Sequence, residues 1–86
     1  MEYFYGLLDE GDSILVDGKK TYTVMAKDEE SVVLEDFSSG RQFLRLSKDD
    51  LETFLWKIDE LSILTVEFTP EKEARIIREE AEQNKA

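Results

Sequence analysis

Apolar and polar positions along this chain follow two different periods, and the switch between them marks out the elements. From residue 13 to residue 46 the period is close to two. Ile14, Leu15 and Val16 form a short apolar run that ends at Asp17-Gly18, two residues that tolerate positive φ and so specify a tight hairpin. Residues 19–27 alternate Lys20, Tyr22, Val24 and Ala26 against Thr21, Thr23 and Met25, which predicts a return strand with Tyr22, Val24 and Ala26 toward the core. Asp28-Glu29-Glu30 makes a polar turn. Residues 31–37 read as a third strand, with Val33, Glu35 and Phe37 on one face and Val32, Leu34 and Asp36 on the other. Ser38-Ser39-Gly40 is a second tight turn, with Gly40 suited to the left-handed position, and residues 41–46 form a fourth strand.

The period then changes to that of a helix. Ser47 is a capping residue, Asp49 and Asp50 suit the positive end of the helix dipole, and Leu51, Phe54, Leu55 and Ile58 recur at helical spacing. The helix is expected to end near Lys57. Residues 62–68 return to strand, with Ile63, Leu64, Val66 and Phe68 as apolar positions. Thr69-Pro70-Glu71 starts a second helix, with Thr69 as the cap and Pro70 in the first helical position. That helix is polar: its apolar residues are Ala74, Ile76, Ile77 and Ala81, and Glu71/Arg75, Arg75/Glu79 and Arg78/Glu82 stand four apart as ion-pair candidates. It should make one narrow contact and otherwise sit in water. A further strand fits at residues 3–8.

The fold class that follows is α+β, in a single domain spanning residues 1–86 with the last few residues frayed. It has a bent antiparallel sheet of four to five strands, one packed amphipathic helix and a polar C-terminal helix. The core candidates are Ile14, Val16, Tyr22, Val24, Val33, Phe37, Phe43, Leu46, Leu51, Phe54, Leu55, Ile63, Val66 and Phe68. The run from Gly11 to Val24, followed by Val33-Leu34-Glu35-Asp36 and Ser39-Gly40-Arg41, resembles the strongly bent meander of small SH3-like barrels over the first half of the chain. The resemblance carries no function.

Charge sharpens this picture. Twenty-one carboxylates face eleven lysines and arginines, a net charge of −10, with 41% apolar residues and neither histidine nor cysteine. Residues 1–18 carry five acids and no base, residues 19–48 five acids and six bases, and residues 49–86 eleven acids and five bases. The negative character therefore flanks a balanced middle. A chain this short buries only about 60% of its unfolded surface. Without cysteine it has no disulfide staple, so packing or self-association must supply its stability. The lack of cysteine and of a basic N-terminal region fits a cytoplasmic protein, and the apolar runs are too short to span a bilayer. The net charge opposes direct nucleic-acid and anionic-membrane binding and favours a basic partner.

Catalysis is disfavoured, since the commonest general base and the best nucleophile are both missing and no catalytic residue is assigned. Asp9-Glu10-Gly11-Asp12 concentrates oxygen atoms beside a glycine but lacks the spacing of a calcium loop, so no metal or cofactor is expected. Lys19, Lys20, Lys27, Arg41, Arg45 and Lys48, with Tyr22 and Phe43 for stacking, offer a contrary reading as a nucleic-acid surface. The acids at both ends oppose it.

Asp9-Glu10-Gly11-Asp12, Asp49-Asp50-Leu51-Glu52, Asp59-Glu60, Glu71-Lys72-Glu73 and Glu79-Glu80-Ala81-Glu82 give the chain an acid excess that resembles small phage-type inhibitors that imitate DNA. The likeness is one of charge and size. It implies a non-catalytic inhibitor that covers the DNA-binding surface of a basic host protein, such as a nucleoid-associated protein, a polymerase or a nuclease. The carboxylates expected to carry binding are Asp9, Glu10, Asp12, Asp49, Asp50, Glu52, Asp59, Glu60, Glu71, Glu79 and Glu82. Residues three or four apart on a helix stand about 5–6 Å from one another, close to the separation of successive phosphates. Tyr3, Tyr5 and Trp56 are the candidate interface aromatics, because Tyr3-Phe4-Tyr5 cannot all face inward on one strand. These aromatics also suit a homodimer. The other reading is an adaptor or assembly domain whose acidity serves only solubility.

Overall fold

The computed structural model describes residues 3–38 and 40–83. Element order is α1 (Phe4–Leu7), β1 (Ser13–Val16), β2 (Lys19–Lys27), β3 (Ser31–Asp36), β4 (Gln42–Ser47), α2 (Lys48–Leu61), β5 (Leu64–Glu67) and α3 (Pro70–Gln83). The five strands form one antiparallel sheet in the order β4-β3-β2-β1-β5. The protein is α+β, as the change of period predicts. The expected fraying of the last residues falls on 84–86, which lie outside the described residues.

Local chemistry accounts for most of the turns. Asp17 and Gly18 have φ of 52° and 80°, the left-handed pair that a twisted two-residue hairpin requires. Gly40 takes a φ of 78° in the turn before β4. Ser47 caps α2 by accepting from the Asp50 N–H at 3.2 Å, and Thr69 does the same for the Lys72 N–H at 3.3 Å. The register of β2 shifts twice, between its pairings with Ile14 and Leu15 of β1 and between its own Val24 and Ala26 opposite β3. Bulges of this kind bend a strand and increase its twist. The second one turns Ala26 out to solvent, against the expectation from simple alternation.

The core lies between one face of the sheet and α1 and α2. Phe4, Tyr5, Leu8, Ile14, Tyr22, Val24, Val32, Leu34, Leu51 and Leu55 are buried, and Val16, Leu44, Leu46, Phe54, Ile58, Leu64 and Val66 pack around them. Each fully buried aliphatic side chain contributes about 1.5–3 kcal/mol. Four core expectations fail. In β3 the buried face carries Val32 and Leu34, while Val33 is half-buried and Phe37 is exposed. Pairing with β4 explains this: Val32 and Leu34 sit opposite Leu46 and Leu44, whereas Val33 and Glu35 sit opposite Arg45 and Phe43 on the outer face. Phe43 is therefore exposed as well. Ile63 is exposed in the link after α2, where its N–H and C=O bond to Asp17 at the hairpin tip.

Two boundaries also differ. In place of the expected strand over residues 3–8, Phe4–Leu7 form a helical turn, because Glu52 of α2 supplies acceptors for the N–H groups that begin it. Helix α2 continues to Leu61, past the expected stop at Lys57, since nothing after Ile58 breaks it before Ser62. Helix α3 buries none of its residues. The molecule measures 47 × 28 × 23 Å with a radius of gyration of 13.9 Å. A compact chain of this length would have about 12 Å.

Candidate functional site

The carboxylates separate into an inner and an outer set. Two of those expected on the binding surface are inside. Asp12 is fully buried: Oδ2 accepts from the Asp9 N–H at 2.9 Å and from the Lys72 ammonium at 2.7 Å, and Oδ1 accepts from the Thr69 N–H at 3.1 Å. It ties the start of α3 to the loop before β1. Gly11 beside it has a φ of 92°, and a Cβ there would meet Thr69 Cγ2 at 2.8 Å, so this close approach requires glycine.

Glu52 is the second. Its carboxylate accepts from the N–H groups of Tyr3, Phe4 and Tyr5 at 3.0, 3.1 and 2.7 Å, and from the Trp56 indole N–H at 3.3 Å. Burial pushes its pKa up, but the donors from Tyr5, Phe4, Tyr3 and Trp56 outweigh burial and hold the group below the usual glutamate range. Neither residue can stand in for a surface phosphate. Sequence pattern marked them only as acids; their donors are mostly backbone N–H groups, and Glu52 reaches across 47 to 49 residues for three of its own.

Tyr5 is also corrected. Its ring is buried in the core, with the Lys27 and Lys48 ammonium groups at 4.6 and 5.1 Å from its centroid, so it is a structural aromatic. Tyr3 and Trp56 remain at the surface, 53% and 41% exposed. With Phe4 they form a three-ring cluster with centroid separations of 5.0, 5.8 and 4.9 Å. Such edge-on and tilted pairs add about 0.5–1.5 kcal/mol beyond burial.

The outer set comprises Asp9, Glu10, Asp49, Asp50, Asp59, Glu60, Glu71, Glu79 and Glu82, all exposed. Asp9 is partly committed, pairing with Lys72 at 2.8 Å and Lys27 at 3.7 Å, and the Lys72 contact holds it below the usual aspartate range. Among the described residues, Asp49, Asp50, Asp59, Glu60, Glu71, Glu79 and Glu82 enter no ion pair. The three candidate pairs along α3 are thus not closed. On α2 the exposed positions Asp49, Thr53, Trp56 and Glu60 run down one side, with Asp59 beside the indole. Eleven residues of helix place Asp49 and Glu60 roughly 16 Å apart. Carboxylates and an exposed indole share this face.

The middle of the chain offers less to a nucleic acid than its composition suggests. Tyr22 is buried against Phe54, and Lys27 donates to the Tyr5 and Leu8 carbonyls. Arg41 pairs with the buried Glu35. Among the described residues no acidic cluster has the geometry of a metal site, and no helix is long and apolar enough to cross a membrane.

Two hollows border α2. One, of 560 Å³, lies between its C-terminal half and the β1–β2 hairpin, with Val16, Tyr22, Phe54, Ile58 and Leu61 among its walls and Lys19 and Lys57 at its edge. The other, of 510 Å³, lies between α1, α2 and β5, where Tyr3, Phe4, Trp56 and Phe68 meet Asp59. Compared with known protein families, curated proteins and solved structures, this chain matches none.

Proposed function

We propose that this protein is a non-catalytic acidic inhibitor that imitates DNA and occupies the DNA-binding surface of a basic protein. The observation that carries the reading is where the free carboxylates sit. Asp59 and Glu60 lie in the last turn of α2, Glu80 and Glu82 in the last turn of α3, and neither turn holds a base. A negative charge at that end of a helix opposes the dipole by about 0.3–1 kcal/mol. Glu79 and Glu82, three apart on α3, add repulsion of about 0.2–0.5 kcal/mol. A basic groove would relieve both costs on binding, as it does for phosphates whose counterions it displaces. The outer carboxylates Asp49, Asp50, Asp59, Glu60, Glu71, Glu79 and Glu82 then carry the electrostatic part, and Trp56 and Tyr3 the dry part.

Capture of partners from a bacterial lysate, repeated over a salt series and with added duplex DNA, tests this. The expected result is capture of basic DNA-binding proteins, such as nucleoid-associated proteins, released by both salt and DNA. Capture that resists salt and ignores DNA would overturn it.

A second reading, an adaptor or assembly domain, is favoured by one feature. Leu61 and Ile63 are 88% and 70% exposed, and Leu61 stands at the mouth of the 560 Å³ apolar groove. Partner capture distinguishes the two readings: binding that Leu61→Glu abolishes and salt leaves intact supports assembly, and binding that salt releases and Leu61→Glu leaves intact opposes it.

A further inference from the structure

We propose that the cleft between α1, α2 and β5 is a socket for an arginine side chain of the basic partner. This rests on the proposed function for the partner's class and goes beyond it in naming what is recognised. The cleft, at 510 Å³, is within the range of about 300–1,000 Å³ typical of ligand sites. Its walls include Tyr3, Phe4, Trp56 and Phe68, and among the described residues its one charged lining residue is Asp59. Aromatic faces with a single carboxylate form the chemistry of cation recognition: ring quadrupoles attract the positive group, and the carboxylate accepts its hydrogen bonds.

Four further observations fit a cation. Asp59 lies three residues after Trp56, so the carboxylate and the indole share one side of α2. Asp59 is exposed and enters no ion pair among the described residues, so its charge is available. A net charge of −10 draws cations toward the molecule and repels nucleic acid or an acidic peptide. The walls are also set in advance. Glu52 binds the N–H groups of Tyr3 and Phe4 and the indole N–H of Trp56, so closing on a ligand costs little ordering.

The resident cation nearby does not cancel this field. The Lys72 ammonium sits 4.5 Å from the Phe68 ring centroid, but Asp9 and Asp12 at 2.8 and 2.7 Å balance its charge, Asp9 being shared with Lys27 at 3.7 Å. Arginine fits better than lysine because a planar guanidinium can stack on the indole while giving two parallel hydrogen bonds to Asp59. An apolar segment would bury Asp59 without a partner, a cost that excludes it.

Trp56 is the only tryptophan, so its fluorescence reports the cleft directly. The experiment titrates the intact protein with three capped tripeptides, Gly-Arg-Gly, Gly-Lys-Gly and Gly-citrulline-Gly, the last a neutral isostere of arginine. The arginine peptide should give a saturable change, the lysine peptide a weaker one and the citrulline peptide none. Asp59→Asn, a surface change that leaves the core intact, should weaken the arginine peptide about tenfold. Glu29→Gln/Glu30→Gln in the exposed turn between β2 and β3, which removes the same charge away from the cleft, should leave it within about twofold. Equal response to citrulline, stronger response to lysine, or an unchanged titration in Asp59→Asn overturns the socket. The two proposals fail separately. Arginine-peptide binding with no DNA-displaceable partner leaves the socket and removes the mimicry. A DNA-displaceable partner whose affinity ignores Asp59→Asn leaves the mimicry and removes the socket.

Discussion

Helices α2 and α3 are built alike and end up in opposite situations. Each has fourteen residues, a hydroxyl cap, two acids in its first turn and no base in its last. Yet α2 buries Leu51, Glu52 and Leu55, and α3 buries nothing. The difference lies in the apolar stripe. Leu51, Phe54, Leu55 and Ile58 recur at three and four residues and pack into the core against the sheet, whereas Ile76 and Ile77 stand nearly alone among charges. Amphipathic burial, rather than propensity or capping, decides whether a helix belongs to the core. The contrast also teaches what the acids do. Turned inward and bonded to N–H groups, Glu52 holds the fold together; turned outward and unpaired, Asp59 and Glu60 on the same helix work against it.

The sharpest way to break this comparison is to cut the same number of methylenes from each helix. Leu55→Ala should destabilise the protein by about 2–5 kcal/mol, because the cavity it leaves is fully enclosed. Ile76→Ala on α3 should cost less than about 1 kcal/mol, the range of a largely solvated site. Urea unfolding of the two variants measures both. Equal losses would mean that α3 packs as α2 does.

A smaller effect separates the inner carboxylates from the outer ones. Glu52→Gln weakens an acceptor of four donors and should cost about 1–3 kcal/mol. It should also change acid stability, and the sign follows from the depressed pKa. The stabilisation by ionised Glu52 is complete above the ordinary glutamate value of about 4.3 and is lost as pH falls through the lower folded value. Wild-type stability should therefore fall below about pH 4, and Glu52→Gln should flatten that fall. Glu60→Gln, an outer change at the negative end of the helix dipole, should leave stability at pH 7 equal or slightly higher. Thermal melts from pH 3 to 7 read all three proteins.

These carboxylates also mark the limit of what the sequence discloses. The turns were legible because Asp17-Gly18, Ser47 and Thr69-Pro70 impose backbone geometry locally. The face of α2 was legible because its apolar spacing has one solution. Strand β3 was not, since residues 32 and 34 and residues 33 and 37 are both apolar pairs, and only pairing with β4 selects between them. The burial of Glu52 and Asp12 was hidden for the same reason. Their donors lie 47 to 60 residues away for most of their bonds, so no local pattern announces them. On the proposed binding surface, the outer carboxylates were legible as charge, but their lack of partners was not.

The smallest effect concerns the root of α3. Thr69→Ala removes the cap and should cost about 1 kcal/mol, felt as fraying of α3 with the core unmoved. Lys72 adds a pH signature. Burial lowers its pKa, but Asp12 and Asp9 raise it by more, so the net shift is upward. Its contribution is full below the ordinary lysine value of about 10.4 and is lost as pH rises through the higher folded value. Circular dichroism should show helix loss above that pH in the wild type. If α3 keeps its helicity there, its root is held by something other than Lys72.

The central claim is that the outer carboxylates take the place of phosphates. Its most direct test is displacement of labelled duplex DNA from a captured basic partner, followed by fluorescence anisotropy. Wild-type protein and a variant with Asp59, Glu60, Glu79 and Glu82 changed to glutamine or asparagine are compared. Wild type should release the DNA, the variant should be weaker by about tenfold or more, and the gap should close as salt rises. A variant that competes as well as wild type, or a wild type that binds alongside the DNA without releasing it, would contradict the account.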